Sequence, residues 1–82
     1  MKYVLKEIAR VGDNGCPRSV IGHVHIKGKD YAARLSVKGE FQIFDNGIKI
    51  WQGKTSRQAN EESLQSLVRL WVTKYYHEEI AA

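Results

Sequence analysis

Cysteine and proline each occur once in these 82 residues, and methionine only at the first position. A lone Cys16 cannot close an internal disulfide, which excludes a disulfide-framed secreted scaffold and suits a reducing compartment. It sits in the turn-rich stretch GDNGCPRS, with no helix start arranged to activate the thiol. It therefore reads as an incidental loop thiol, not a nucleophile. No apolar run approaches membrane-spanning length. No basic segment followed by an apolar one opens the chain, so a secreted precursor is not expected and a cytoplasmic location is. A phosphate-cradling glycine loop and a nucleophile–base set are both missing. A chain this short has little room for a deep cleft. Enzymatic activity, a cofactor and a metal are accordingly not expected.

What is present belongs to one folded domain spanning residues 1–82. Hydrophobic residues make up 43% and charged residues 27%, a balance that argues against disorder. The net charge of +4 is unevenly spread. Residues 54–82 carry four basic and four acidic side chains, whereas residues 1–53 carry nine and five. The excess lies in the first part, and favours an acidic partner such as nucleic acid or an acidic protein.

The segment 55–77 predicts a C-terminal helix. Ala59, Leu64, Leu67, Val68, Trp71, Val72 and Tyr75 recur at three- and four-residue steps, which makes one apolar stripe. Thr55 and Gln58 have the spacing of a capping box. Glu61 and Glu62 early, and Arg69 and Lys74 late, suit the helix dipole. Glu78 and Glu79 oppose it, so fraying is expected after about Tyr76.

Residues 1–53 read mainly as β-sheet. The first segment, MKYVLKEIARVG, admits helix or strand: Val4, Leu5, Ile8 and Val11 fit helical spacing, while the β-branched content suits a strand. It lacks an N-cap, which favours a strand. Asp13 to Arg18 reads as loop, from Asn14-Gly15 and Cys16-Pro17. SVIGHVHIK and DYAARLSVK then alternate with period two. A two-residue Gly28-Lys29 loop between them would set Ile26 opposite Tyr31 and Val24 opposite Ala33. Asn46-Gly47 is the strongest hairpin signal, pairing Phe44 with Lys49 and Ile43 with Ile50. The expected fold is α+β: an antiparallel meander of three to five strands, covered on one face by the helix.

The turn at Gly39 decides which side chains face outward. With two residues in it, Phe41, Ile43, Ile48 and Ile50 would be exposed beside Arg34, Ser36 and Lys38. With three residues or a bulge the assignment flips, because side-chain direction has a period of two. The second option buries the cleaner apolar set and is preferred. The outer face is then His23, His25, Arg34, Ser36, Lys38, Gln42, Phe44, Lys49 and Trp51.

That face has the make-up of a nucleic-acid platform. Arg34, Lys38 and Lys49 suit phosphates, Phe44 and Trp51 offer stacking surfaces, and Lys27, Lys29 and Arg18 form a basic rim. Arg34 and Gln42 suit base edges if the sheet enters a duplex groove. The sheet-then-helix order resembles, in layout, the small sheet-based DNA-binding domains of tyrosine recombinases and plant transcription factors. The segment KTSRQAN is similar to the basic helix start of the double-stranded-RNA-binding domain. That resemblance implies phosphate contacts from Lys54 and Arg57, with Asn60 where that run is usually basic.

Other clusters are weaker. His23 and His25 have HxH spacing, but a third ligand from His77, Asp30 or Cys16 is not placed by the local pattern. Glu61-Glu62 and Glu78-Glu79 diverge on a helix and read as solvated charge. The expected function is a non-enzymatic binding module for DNA or RNA, monomeric or homodimeric. The alternative is a protein-binding inhibitor or regulator acting through exposed aliphatics, with Trp71, Tyr75 and Tyr76 as anchors. Small single-domain accessory proteins of phages and mobile elements, some of which block a host complex, share this size and absence of catalytic motifs.

Overall fold

The computed structural model describes residues 2–13 and 16–76. Five antiparallel strands follow one another in sequence and in space. They are β1 (Tyr3–Asp13), β2 (Cys16–Ile26), β3 (Lys29–Ser36), β4 (Glu40–Asp45) and β5 (Ile48–Lys54). The helix α1 (Glu61–Tyr76) lies across β2 and β3. This is the α+β meander that the alternation predicts, with the first segment as a strand. Strand pairing extends further into residues 13–18 than their turn signals suggest, with Asp13 opposite Cys16 and Gly12 opposite Pro17. Pro17 has no partner in β3, so its missing N–H breaks no ladder there. Asn14 and Gly15 lie outside the described residues, as do His77 to Ala82, and with them Glu78 and Glu79.

Turn chemistry sets the registers. Lys27 and Gly28 both have positive φ (50° and 77°), as do Asn46 and Gly47 (53° and 83°). Both pairs are therefore two-residue turns of the type that matches strand twist. The first loop is thus Lys27-Gly28 and not Gly28-Lys29. Ile26 stands opposite Lys29 and Val24 opposite Tyr31. The glycine takes the second turn position, as in Asn-Gly, and the resulting shift is even, so the faces survive. Between β3 and β4 the turn holds three residues, Val37 to Gly39. Gly39 N–H donates to the Ser36 carbonyl at 3.0 Å, and Leu35 stands opposite Phe41. Gly39 has φ 84°, and a Cβ there would clash with the Thr55 carbonyl, which leaves no space for a side chain.

With that register, alternate residues gather under the helix. Val20, Val24, Ile26, Tyr31, Ala33, Leu35, Phe41 and Ile43 are buried from the sheet, and Leu64, Val68, Trp71 and Val72 from the helix. Burying a side chain of this size contributes about 1.5–3 kcal/mol. Phe41 and Ile43 therefore belong to the core, as the three-residue turn requires. The exposed aliphatic patch of the other register does not form. Ile48 departs from expectation, being 68% exposed at the start of the edge strand β5, and Ile50 is half-buried.

The register shifts at three places among the described strands; one, between Val11 and Gly12, lies at the far end of the β1–β2 pair, and the other two set the faces of the sheet. In β1, Lys6 opposes His23 and Ala9 opposes Ile21, so Glu7 and Ile8 together face Gly22. Glu7 has φ 56°. The extra residue puts Leu5 and Ile8, three apart, on the same core, where a helix would also have put them. Gly22 makes room for both: a Cβ there would lie 2.8 Å from Leu5 Cδ1 and 3.3 Å from Leu64 Cδ2. In β5 the shift falls between Ile43 and Phe44, so Trp51, not Ile50, stands opposite Ile43.

The helix starts five residues later than the capping-box spacing implies. Asn60 is the N-cap, its Oδ1 accepting from Ser63 N–H at 2.8 Å. Thr55 is engaged elsewhere: its N–H donates to the Gly39 carbonyl and its Oγ1 accepts from Arg57 N–H at 3.1 Å. At the other end Trp71 packs edge-on to Tyr31, and the Tyr31 and Tyr76 hydroxyls share a hydrogen bond of 2.7 Å. Burial and that bond hold the Tyr76 hydroxyl protonated well above the usual 10.0.

Candidate nucleic-acid interface

The helix covers one face of the sheet, and no described element covers the other. Registers carried through all four strand pairs set two rows across this outer face. One runs Lys6, His23, Ala32, Phe44, Lys49; the next runs Ala9, Ile21, Arg34, Gln42, Gln52. Each row crosses four strand gaps, about 19 Å at the usual spacing. Three cations lie in the two rows, and no carboxylate does. Phe44 stands opposite Lys49 and the small Ala32 and is half-buried, so part of its ring is open. Arg34 is half-buried too, with its Nε donating to Ser19 Oγ at 3.2 Å. That contact holds the guanidinium on the sheet, and its terminal amines have no partner among the described residues. Lys49 Nζ donates to Gln52 Oε1 at 2.6 Å along the edge strand.

Of the residues expected here, Arg34, Phe44 and Lys49 come together. Lys38 lies in the three-residue turn, where it lines a depression of about 430 Å³ with Arg34, Ser36, Val37 and Glu40. Three expectations need correction. Trp51 is on the helix side, because the β5 bulge reverses its direction relative to a regular strand. Lys29 shares the core-side parity of Tyr31: its Nζ lies 3.2 Å from Asp45 Oδ2 and 5.6 Å from the Tyr31 ring. The hydrogen bond to Asp45 holds the Lys29 ammonium above its usual range. Lys27 reaches the helix, with Nζ 5.3 Å from the Tyr76 ring centre. Neither lysine rims the outer face. The side chain of Arg18 lies outside those described, as does that of Cys16.

Lys6 joins the platform unannounced by the sequence pattern. The bulge at Glu7 interrupts the alternation that would have assigned its face. The two histidines do lie on the outer face, each with an acid at hand. His25 Nδ1 donates to Asp30 Oδ1 at 2.8 Å, and this bond holds the Asp30 carboxyl below its usual 3.8. His23 Nε2 is 3.8 Å from Glu7 Oε2. Among the described residues no three histidine, cysteine or acidic side chains converge as a metal site would require. Lys54 ends β5 and Arg57 lies in the linker, so neither is in the first turn of α1, as the likeness to the double-stranded-RNA-binding domain would require. No described helix is long and apolar enough to cross a membrane.

Compared with known proteins, the chain matches no family model, no curated protein and no solved structure. The geometry of the outer face therefore carries the functional argument.

Proposed function

We propose that this chain is a non-enzymatic module that binds nucleic acid across its outer sheet face. The observation that supports this reading is the pair of carboxylate-free rows, in which Phe44 stands opposite Lys49, with Arg34 in the next row and Lys6 three strands along its own. An aromatic face amid cations on a sheet is the arrangement that stacks an unpaired base while neighbouring phosphates are neutralised. His23, two strands from Phe44 in the same row, offers a second flat ring. Gln42 and Gln52, adjacent in the next row, present amides that can both donate and accept at base edges. Lys38 extends the positive charge to the turn.

Binding of this kind is driven largely by counterion release. With three phosphate contacts to a single strand, the logarithm of affinity should fall against the logarithm of salt with a slope of about −2. Titration of a labelled mixed-sequence single strand across a range of salt tests this. Saturable binding with that slope, reduced by roughly 0.7 in Arg34→Ala, is the expected result. Salt-independent binding, or none at low salt, refutes it.

A further inference from the structure

Beyond Arg34 and Gln42, the next row of the outer face brings in one carboxylate, Glu40. Lys54 stands opposite it on β5, yet the Glu40 carboxylate makes no ion pair or hydrogen bond among the described residues. It lines the depression of about 430 Å³ at the β3–β4 turn, with Arg34, Ser36, Val37 and Lys38. That volume falls within the range of small-ligand sites, about 300–1,000 Å³. The turn beneath is fixed at three points. Gly39 N–H donates to the Ser36 carbonyl at 3.0 Å, Glu40 N–H to Ser36 Oγ at 3.2 Å, and Thr55 N–H to the Gly39 carbonyl at 2.8 Å. Lys38 and Glu40 therefore leave a held backbone on either side of Gly39. Arg34 stands opposite Gln42, so Glu40, two residues away along β4, is its diagonal neighbour at about 7–8 Å. Two cations and one carboxylate thus line a single space without pairing, and Val37, 57% exposed, gives it an apolar wall.

We propose that this depression takes one guanine of a strand lying on the outer face. The site rests on the nucleic-acid reading of that face and adds a base preference to it. Glu40 decides the occupant, because an ionised carboxylate only accepts hydrogen bonds. A phosphate in the depression could use Arg34 and Lys38 but would meet repulsion from Glu40. A base edge rich in donors uses the carboxylate instead. Guanine alone sets two donors, N1–H and the 2-amino group, side by side on its Watson–Crick edge, where they match the two carboxylate oxygens. Adenine and cytosine put a ring acceptor beside their amino group, and thymine and uracil flank their one N–H with carbonyls. The adjoining guanine edge carries the acceptors O6 and N7, which a lysine or arginine reads. Lys38 supplies that donor, Val37 touches the flat of the ring, and Arg34 keeps its charge for the neighbouring phosphate.

The probes are short labelled oligothymidylates whose central base is guanine, adenine, cytosine or thymine, titrated with the full chain and followed by anisotropy. The guanine strand should bind at least about fivefold tighter than the other three. Inosine at that position lacks the 2-amino group and should lose most of the gain. 7-Deazaguanine lacks N7 and should lose the share carried by Lys38, so in Lys38→Ala it should bind as guanine does. Glu40→Gln should abolish the preference while the all-thymine strand binds at least as tightly as to the wild type, which a fold defect would not produce. Saturable, salt-dependent binding of all four strands with equal affinity overturns the guanine site and leaves the outer-face reading standing. No binding by any strand refutes that reading, and the guanine site with it. A preference for another base, or a guanine preference kept in Glu40→Gln, overturns the site alone. So does free guanosine monophosphate competing as well as the guanine strand, which would assign the depression to a nucleotide outside any strand.

Discussion

Phe44→Ala separates the outer face from the fold more cleanly than any other substitution. The ring is half-buried on the uncovered side of β4, opposite Lys49 and Ala32. Removing it forfeits cross-strand contact and strand preference, about 1 kcal/mol of stability, without opening a cavity in the core. Stacking of a base on such a ring is worth about 1–3 kcal/mol, which corresponds to roughly five- to 150-fold in affinity. Trp51→Ala supplies the contrast. Trp51 packs half-buried beside the core opposite Ile43, so its removal should cost about 2 kcal/mol, roughly half the loss for a fully buried tryptophan. Its effect on nucleic-acid affinity should be negligible. The assays are anisotropy of a labelled single strand at low and physiological salt, and urea unfolding of both variants. If Trp51→Ala loses affinity while Phe44→Ala retains it, the face assignment and the reading built on it are wrong.

The remaining expectations concern registers, caps and protonation. Lys29→Ala, on the helix side and bonded to Asp45, should leave nucleic-acid affinity at the wild-type value in the same anisotropy assay, whereas Lys49→Ala should weaken it. Asn60→Ala should destabilise the fold by about 1 kcal/mol in urea, and Thr55→Ala by less, because Asn60 caps α1. An equal or larger loss in Thr55→Ala would return the cap to the earlier position. Gly39→Ala should cost at least about 2 kcal/mol, since it combines a positive φ with backbone contact at Thr55. Finally, Tyr76 keeps its proton in the folded chain above pH 10.0, where the unfolded chain releases it. Its contribution is therefore complete below that pH and is lost as pH rises towards the folded value. Alkaline unfolding of the wild type should steepen above pH 10 relative to Tyr76→Phe, followed by absorbance of the phenolate.

Much of this architecture is local in origin and so was legible along the chain. Alternation in SVIGHVHIK and DYAARLSVK reports faces directly, because strand side chains change side at every residue. Asn46-Gly47 names its own turn, since both residues tolerate positive φ. The stripe from Leu64 to Val72 marks the helix, and the even shift of the Lys27-Gly28 loop leaves the faces intact. The Gly39 turn is the intermediate case. Its length is not written in the dipeptide, but the demand that Phe41 and Ile43 be buried selects three residues.

What local pattern does not contain is where a strand will take an extra residue. The bulge at Glu7 and Ile8 gives β1 a three-residue apolar step, which is why that stretch also resembles a helix. It forms because Gly22 leaves space for Leu5 and Ile8 on the same core. The bulge in β5 carries Trp51 from the outer face to the helix side, where it shares a depression with Leu67, a helix residue well downstream. The late start of α1 has a similar cause, since Thr55 is held by Gly39 and leaves the cap to Asn60. Residue type and spacing determined the fold class and the residues Arg34, Phe44 and Lys49. Contacts between distant segments decided which side Trp51, Lys29 and Lys6 serve, because a single inserted residue inverts a strand and only the packed core settles where it goes.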